Sequence, residues 1–165
     1  MNLKHYTKLY IKDMIYGAND GIITTFAVVA SIEGAGLSVY AILAIGLASL
    51  FADATSMATS SYLATKSDKE VQDHDGNNSN NHRPLLESFI TFMAFITAGS
   101  VPLAPYILLS NDKHSYLLSG LTAISTLFVI GGLRTRVTQK NFFKAGIEMA
   151  FLGAIAGGVA FYIGN

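Results

Sequence analysis

Residues Tyr16–Ser31 read YGANDGIITTFAVVAS, a stretch that is apolar enough to lie in a membrane and yet contains a carboxylate, Asp20. Insertion scales put the cost of an aspartate at the centre of a bilayer at roughly 2.5–3.5 kcal/mol. Such a residue normally faces the interior of a helix bundle or a water-filled path. Gly17 and Gly21 form a small-xxx-small pair that lets a second helix approach closely. We therefore predict that this helix supplies both an ion path and a helix-packing surface.

The composition of the chain is that of a membrane protein. Hydrophobic residues make up 51% of the 165 residues and charged residues 13%, whereas an average soluble domain carries roughly 25% charged residues. The apolar residues occur in long runs, which favours membrane spans over a dense soluble core. The formal net charge is zero, so the chain has no basic footprint for nucleic acid. The absence of cysteine excludes disulfides, thiolate metal sites and cysteine nucleophiles.

Five apolar segments are long enough to be membrane spans. We predict spans at 14–32, 39–63, 87–109, 116–133 and 145–163 of a single all-α transmembrane domain that covers residues 1–165. Glu33–Gly36 should end the first helix, and Pro102 and Pro105 predict a kink near the end of the third span. No cleavage site follows a short apolar core, so we expect no removable signal peptide and targeting by the first span.

The segments outside the spans are polar. In residues 1–13, lysines recur every fourth position, which is typical of an amphipathic helix at the membrane interface, with a solvated tail as the alternative. Residues 66–83 are rich in Asn and Asp and have no apolar period, so we predict a flexible cytosolic loop. Its acidic residues and His74 could collect cations, although a solvated linker is the favoured interpretation.

The basic residues are distributed asymmetrically along the chain. With the N-terminus in the cytosol, ten of the eleven Lys and Arg residues fall on the cytosolic side, and Lys113 falls outside. The positive-inside rule therefore predicts a cytosolic N-terminus and, with five spans, a C-terminus outside or in a lumen. Five spans cannot divide into an internal repeat, and a homodimer would restore symmetry.

Three acidic residues fall inside or near the predicted hydrocarbon region: Asp20, Asp53 and Glu148. No Lys or Arg is predicted at their depth, so each must be protonated, cation-bound or hydrated. Each of these states fits a cation pathway or a proton relay, and the alternative is a protonated packing residue. Met57 follows Asp53 by four residues, which places both on one helix face. A thioether beside carboxylates suits Fe(II) better than Mg²⁺ or Ca²⁺, although a lone membrane methionine is more often a packing residue.

Several separated motifs resemble the vacuolar iron transporter family. YGANDGIITTFAVVASIEGAGLS is similar to the family's first helix, whose pattern is near DG-[IL]-[IV]-TTFA-[VI]-V-[AS]-G. LAIGLASLFADATSMA contains the family's A-D-x-x-S-M, and the resemblance continues in FITAGSVPLAPYIL and LFVIGGLRTRVTQKNFFKAGIEMAFLGAIAGGVAFYIG. All five predicted spans are covered in order. The chain also shows no Ser-His-Asp, phosphate-loop or dinucleotide pattern, so we expect no enzyme.

The resemblance implies a homodimer of five-helix protomers in the membrane lipid, with an ion path at the dimer interface. It implies that Fe(II), and often Mn(II), moves out of the cytosol against protons, with no prosthetic group. Asp20 and Met57 match the family residues that line the path. Asp53 matches the acid of the second helix, and Glu148 matches the acid in the fifth helix's G-x-E-M.

Two departures from the family pattern bear on function. The family commonly carries a glutamate-rich cytosolic domain between the second and third spans, and this chain has only the short segment 66–83 there. The family also continues S-M-x-x-G-[ED]-[YF], whereas this chain has Ser60 and Ser61 in place of the glycine and the acid.

We predict a secondary transporter that exports Fe(II) and Mn(II) in exchange for protons. The alternative is a non-transporting membrane protein that binds metal or joins a larger assembly. A bacterial cytoplasmic membrane fits the compact length better than a vacuolar membrane.

Overall fold

The computed structural model describes residues 3–74, 83–109, 114–138 and 141–165, and the regular structure in these residues is helical throughout. Among these described residues, four helices are long and apolar enough to cross a membrane, and one apolar helix is shorter. This is the architecture of a multi-pass membrane protein. The described residues form six helices: α1 (Leu3–Gly34), α2 (Val39–His74), α3 (Pro84–Gly99), α4 (Ala104–Leu108), α5 (Ser115–Thr138) and α6 (Phe142–Gly164).

Helix α1, which contains the opening stretch, lies at the centre of the bundle. It packs against α2 and α3 on one side and against α5 and α6 on the other. One apolar cluster joins α1 to α2, α3 and α4, and a second joins α1 to α5. Half of the apolar span of α1 is buried, compared with 22–28% of the spans in α2, α5 and α6. The other three long helices therefore present most of their apolar surface to lipid.

The small residues of α1 set its contact with α3, as the sequence predicts. A Cβ atom added at Gly17 would lie 2.6 Å from the backbone oxygen of Thr91, and one added at Gly21 would lie 2.5 Å from that of Phe95. Both distances are too short for any side chain. The two backbones can approach this closely only because glycine occupies both positions. The pairs also show that α1 and α3 run parallel, since both residue numbers rise together.

The predicted break after the first span is confirmed. Helix α1 ends at Gly34, and Gly36 adopts a φ of +64°, a backbone region that favours glycine. Helix α2 begins at Val39, directly after Ser38, whose side-chain oxygen accepts a hydrogen bond from the Ala41 N–H at 3.4 Å. The turn thus returns the chain antiparallel to α1, which brings the two helices alongside each other.

The third predicted span is divided into two helices. Pro84 occupies the first turn of α3, where its missing N–H costs nothing. Helix α3 then ends at Gly99, and α4 begins at Ala104 after a turn that contains Pro102, which confirms the predicted kink. The turn is fixed to α5, because the hydroxyl of the fully buried Ser119 donates a hydrogen bond to the Pro102 carbonyl at 2.6 Å.

Replacement of Ser119 should destabilise the bundle. Ser119→Ala removes the donor and leaves the buried Pro102 carbonyl unsatisfied, which should lower the free energy of unfolding by about 1–3 kcal/mol. Thermal unfolding in detergent, followed by far-UV circular dichroism, should show a reduced Tm. Ser125→Ala, on the exposed face of the same helix, is the matched control and should leave the Tm unchanged. Equal Tm values for the two variants would contradict the structural role of this hydrogen bond.

The helices extend beyond several predicted boundaries. The prediction of a flexible loop is wrong for residues 66–74, because α2 continues to His74. No glycine or proline occurs between Lys66 and Gly76, and Lys66 and Glu70 form an i,i+4 ion pair at 3.9 Å. Similarly, α1 is continuous from Leu3, so the amphipathic segment and the first span form one helix. Residues 75–82 of the predicted loop lie outside the described residues.

Candidate functional site

A cavity of about 790 Å³ opens between α1, α2 and α3. Most of the residues that line it are polar or charged, although all three helices are predominantly apolar. The helix faces that meet here carry acids, hydroxyls and one thioether at spacings of three and four residues, so each helix turns a single polar stripe toward the cavity. The described residues that line it are Lys12, Asp13, Tyr16, Asp20, Thr24, Asp53, Ser56, Met57, Ser60, Ser61, Ala64, Thr65, Asp68, Glu87 and Thr91.

Three of the four residues predicted to bind metal line this cavity: Asp20 from α1, and Asp53 and Met57 from α2. Asp20 and Met57 are partly buried, whereas Asp53 is exposed in the single chain. Asp53 and Met57 are four residues apart, and the structure confirms that they share one face of α2. Two carboxylates and a thioether are thus presented to the same space, which is a donor set that suits a divalent transition metal.

The backbone around Asp20 is held by its neighbours. The Thr24 hydroxyl donates to the Asp20 carbonyl at 2.8 Å, so Thr24 satisfies its own hydroxyl within the helix while it lines the cavity. Gly17, about one turn before Asp20, and Gly21, directly after it, bring α1 into close contact with the backbone of α3. The backbone position of Asp20 is therefore determined by a close helix contact, and precise support of this kind is what a binding site requires.

Glu87 is a cavity residue that the sequence interpretation placed at a span end and left out of the candidate site. Only 3% of it is exposed. One carboxylate oxygen accepts a hydrogen bond from the Thr65 hydroxyl at 3.1 Å, and the other accepts one from the Arg83 N–H at 3.1 Å. The signal in the sequence that could have identified it is its spacing of four from Thr91, which places both polar residues on one face of α3.

Glu148 is not brought to this cavity. It lies on α6, which packs against α1 and α5, and its side chain is exposed. The structure therefore groups Asp20, Asp53 and Met57 and leaves Glu148 on a separate face of the bundle.

The cavity of one chain offers an incomplete metal site. Within the described ranges, no three His, Asp or Glu side chains stand close enough together to hold a metal ion. Transition metals such as Fe(II) and Mn(II) prefer six ligands, and water can supply several of them. A cavity of this volume has room for a hydrated ion between the carboxylates and Met57.

Comparisons with known proteins give consistent matches. The VIT family model matches residues 11–82 and 73–165. Vacuolar iron transporter 1 of Arabidopsis thaliana is 24% identical over 216 residues, covering 96% of this chain and 86% of the plant protein. Vacuolar iron transporter 1 of Tulipa gesneriana is 26% identical, with coverages of 96% and 87%. The Vacuolar iron transporter of Toxoplasma gondii is 23% identical, with coverages of 94% and 74%.

The alignments also show a difference in length. The match to the Arabidopsis protein extends over 216 residues, which is longer than this 165-residue chain. The relatives thus contain residues inside the aligned region that have no counterpart here. The two segments matched by the family model meet at 73–82, in the connection between α2 and α3. This position agrees with the short segment noted in the sequence.

Proposed function

Because this chain belongs to the VIT family, we propose that it is a secondary transporter that moves Fe(II) and Mn(II) out of the cytosol in exchange for protons. Its relatives are named as iron transporters, and the chain is a multi-pass membrane protein that transports metal ions and is not an enzyme. The choice of metal, the direction and the proton exchange are the proposed parts.

The observation that supports the proposal is the grouping of Asp20, Asp53 and Met57 on the wall of one cavity. Carboxylates at membrane depth are expensive unless they serve a path for ions or protons. The thioether of Met57 adds a soft ligand that Mg²⁺ and Ca²⁺ do not favour, whereas Fe(II) accepts it. We assign the metal path to these three residues, and Glu148 stays a prediction outside this cavity.

Exchange for protons follows from the chemistry of a carboxylate. A carboxylate binds a metal ion only when it is deprotonated, so metal and proton compete for the same oxygens. Loading from one side of the membrane would release a proton, and reprotonation from the other side would release the metal. Competition at Asp20 and Asp53 is therefore sufficient for antiport, without a separate proton path.

A second copy of the chain would complete the site. Asp53, Ser56 and Ser60 are exposed in the single chain, and a carboxylate facing lipid at this depth is unfavourable. In a two-fold symmetric homodimer these residues would face their own copies, and each ligand would be supplied twice.

We propose five spans per protomer, with α3 and α4 together forming the third, and a cytosolic N-terminus in a bacterial cytoplasmic membrane.

Reconstitution into sealed liposomes tests this function directly. Fe²⁺ and Mn²⁺ uptake would be measured separately under an imposed pH gradient, with an internal pH dye to follow protons. The proposal requires metal influx coupled to proton movement in the opposite direction. A folded protein that binds metal and shows no flux would instead favour the alternative, a non-transporting metal-binding or partner protein.

Replacement of Met57 should change the choice between the two metals. Met57→Leu keeps the volume and removes the sulfur, so uptake of Fe²⁺ should fall more than uptake of Mn²⁺, by roughly threefold, because Mn²⁺ depends less on soft ligands. Met93→Leu, on an exposed face of α3, is the matched control. A parallel loss of both metals in Met57→Leu would show that the side chain acts in packing alone.

A further inference from the structure

Glu87 is a buried carboxylate on the cavity wall to which the metal path described above assigns no part. It is 3% exposed and lies among the same lining residues as Asp20 and Met57. Burial of a carboxylate costs free energy even when hydrogen bonds satisfy part of it. A neutral residue could accept the same hydrogen bonds at lower cost, so an acidic residue at this buried position requires an explanation.

The helix register places Glu87 at a different level of the cavity from Asp20. Because Gly17 opposes Thr91 on the parallel helix α3, Glu87 stands level with Asp13. Asp13 precedes Asp20 by seven residues, which corresponds to about 10 Å along the helix axis. The cavity therefore has acidic residues at two levels. We call the level of Asp20 the inner level and the level of Glu87, nearer the N-terminal end of α1, the outer level.

Helix α2 gives the same separation independently. Glu87 is hydrogen-bonded to Thr65, and Thr65 follows Met57 by eight residues, or about 12 Å of helix. Between these two positions α2 lines the cavity with the hydroxyls of Ser60 and Ser61. In the family pattern described above the position of Ser61 carries an acid. At this end of the cavity, therefore, α2 offers hydroxyl groups and the facing helix α3 offers the carboxylate.

We propose, on the basis of the proposed transport function, that Glu87 is a metal ligand at the outer level of the cavity and binds the divalent metal on its way to or from Asp20. Its carboxylate then replaces the acid that the family pattern has at the position of Ser61. The hydrogen bonds from Thr65 and from the Arg83 N–H hold the carboxylate in place. A carboxylate has about four acceptor positions on its two oxygens, so these bonds are compatible with a metal ion. Lys12, Asp13 and Asp68 also line this end of the cavity.

The kinetics of Mn²⁺ uptake test the role of the charge. Glu87→Gln retains the shape of the side chain and one acceptor oxygen, which can still accept from the Arg83 N–H while the amide NH2 donates to the Thr65 hydroxyl, but it loses the charge. The KM for Mn²⁺ should rise by roughly tenfold or more, as expected when a metal site loses a supporting group, while the maximal rate changes by less than about twofold. Glu70→Gln neutralises an exposed glutamate outside the cavity and should keep the wild-type KM.

A purely structural role of Glu87 gives a different pattern. Thr65→Val removes the hydroxyl that binds Glu87 but leaves the carboxylate in the cavity. If Glu87 only ties α3 to α2, Thr65→Val should change the KM as much as Glu87→Gln does, and this result would overturn the proposal. The proposal requires the KM of Thr65→Val, which keeps the charge of Glu87, to rise clearly less than that of Glu87→Gln, whatever its effect on the Tm.

Chemical protection tests the same role in the unmodified protein, in case Glu87→Gln does not fold. Dicyclohexylcarbodiimide modifies carboxyl groups in apolar surroundings, and mass spectrometry of peptides identifies the modified residues. Mn²⁺ should slow the modification of Glu87 and leave that of Glu33, at the opposite end of α1, unchanged. Equal modification of Glu87 with and without Mn²⁺ would overturn the proposal.

The two proposals fail in distinguishable ways. If Asp20→Asn retains metal flux, the assignment of the metal path to this cavity is wrong whatever Glu87 does. If Asp20→Asn is inactive and Glu87→Gln has the wild-type KM, the transport function stands and the role of Glu87 is overturned.

Discussion

Asp20→Asn should yield a folded protein that shows no metal flux above that of protein-free liposomes. Asparagine has nearly the same shape as aspartate, so the packing of α1 against α3 at Gly17 and Gly21 is retained. The amide cannot release a proton and cannot supply an anionic oxygen to the metal. Both partners of the proposed exchange therefore lose their common binding group. Uptake of Fe²⁺ and Mn²⁺ into liposomes, together with size-exclusion chromatography for folding, measures this outcome.

A conservative change elsewhere controls for the loss of one negative charge. Asp73 lies on the exposed C-terminal part of α2, outside the cavity, and Asp73→Asn should transport at the wild-type rate. Asp53→Asn should reduce flux as well, because it removes the second carboxylate of the inner level. Normal flux in Asp20→Asn would refute the assignment of the metal path to this cavity.

Gly21→Ala should destabilise the bundle strongly, although it adds only one methyl group. The added Cβ would lie 2.5 Å from the Phe95 backbone oxygen and 3.1 Å from the Phe95 Cα. Because the obstacle is backbone and not the end of a flexible side chain, α1 and α3 must separate. Overpacking of this kind costs about 1–3 kcal/mol, which corresponds to a Tm decrease of several degrees, on the order of 5 °C. The separation would also displace Asp20, one residue earlier, so metal flux should fall together with stability.

The same chemical change at an open position is the matched control. Gly158 lies on the exposed face of α6, and a Cβ added there meets nothing within 4 Å. Gly158→Ala should therefore leave the Tm unchanged or raise it slightly, because alanine favours helix over glycine. Thermal unfolding of both variants in the same detergent separates a general effect of alanine from the close contact of α1 with α3. A Gly21→Ala protein as stable as Gly158→Ala would show that the two helices are not in contact at this point.

The sequence by itself determined the class of the protein and most of its path through the membrane. Long apolar runs have few alternatives to membrane helices, because backbone groups in hydrocarbon must bond within their own segment. Asp20, Asp53 and Met57 could be selected from sequence for a similar reason: an acid within an apolar run is expensive, and its position is functional by default. The spacing of Gly17 and Gly21 predicted a close helix contact, and the structure supplied its partner, α3.

Only the tertiary structure decided which of these residues share a space. Glu87 appeared to stand at the end of a span, where an acid is inexpensive and therefore uninformative. The parallel register of α1 and α3 brings it onto the wall of the cavity, 3% exposed, and that register depends on backbone contacts between residues that are far apart in the chain. Glu148 is the opposite case. It was a candidate from the sequence because it lies in an apolar segment, but α6 packs against α1 and α5 and Glu148 does not line the cavity. Local sequence determines the depth of a residue in the membrane, whereas the face of the helix that meets another helix is determined by packing across the whole bundle.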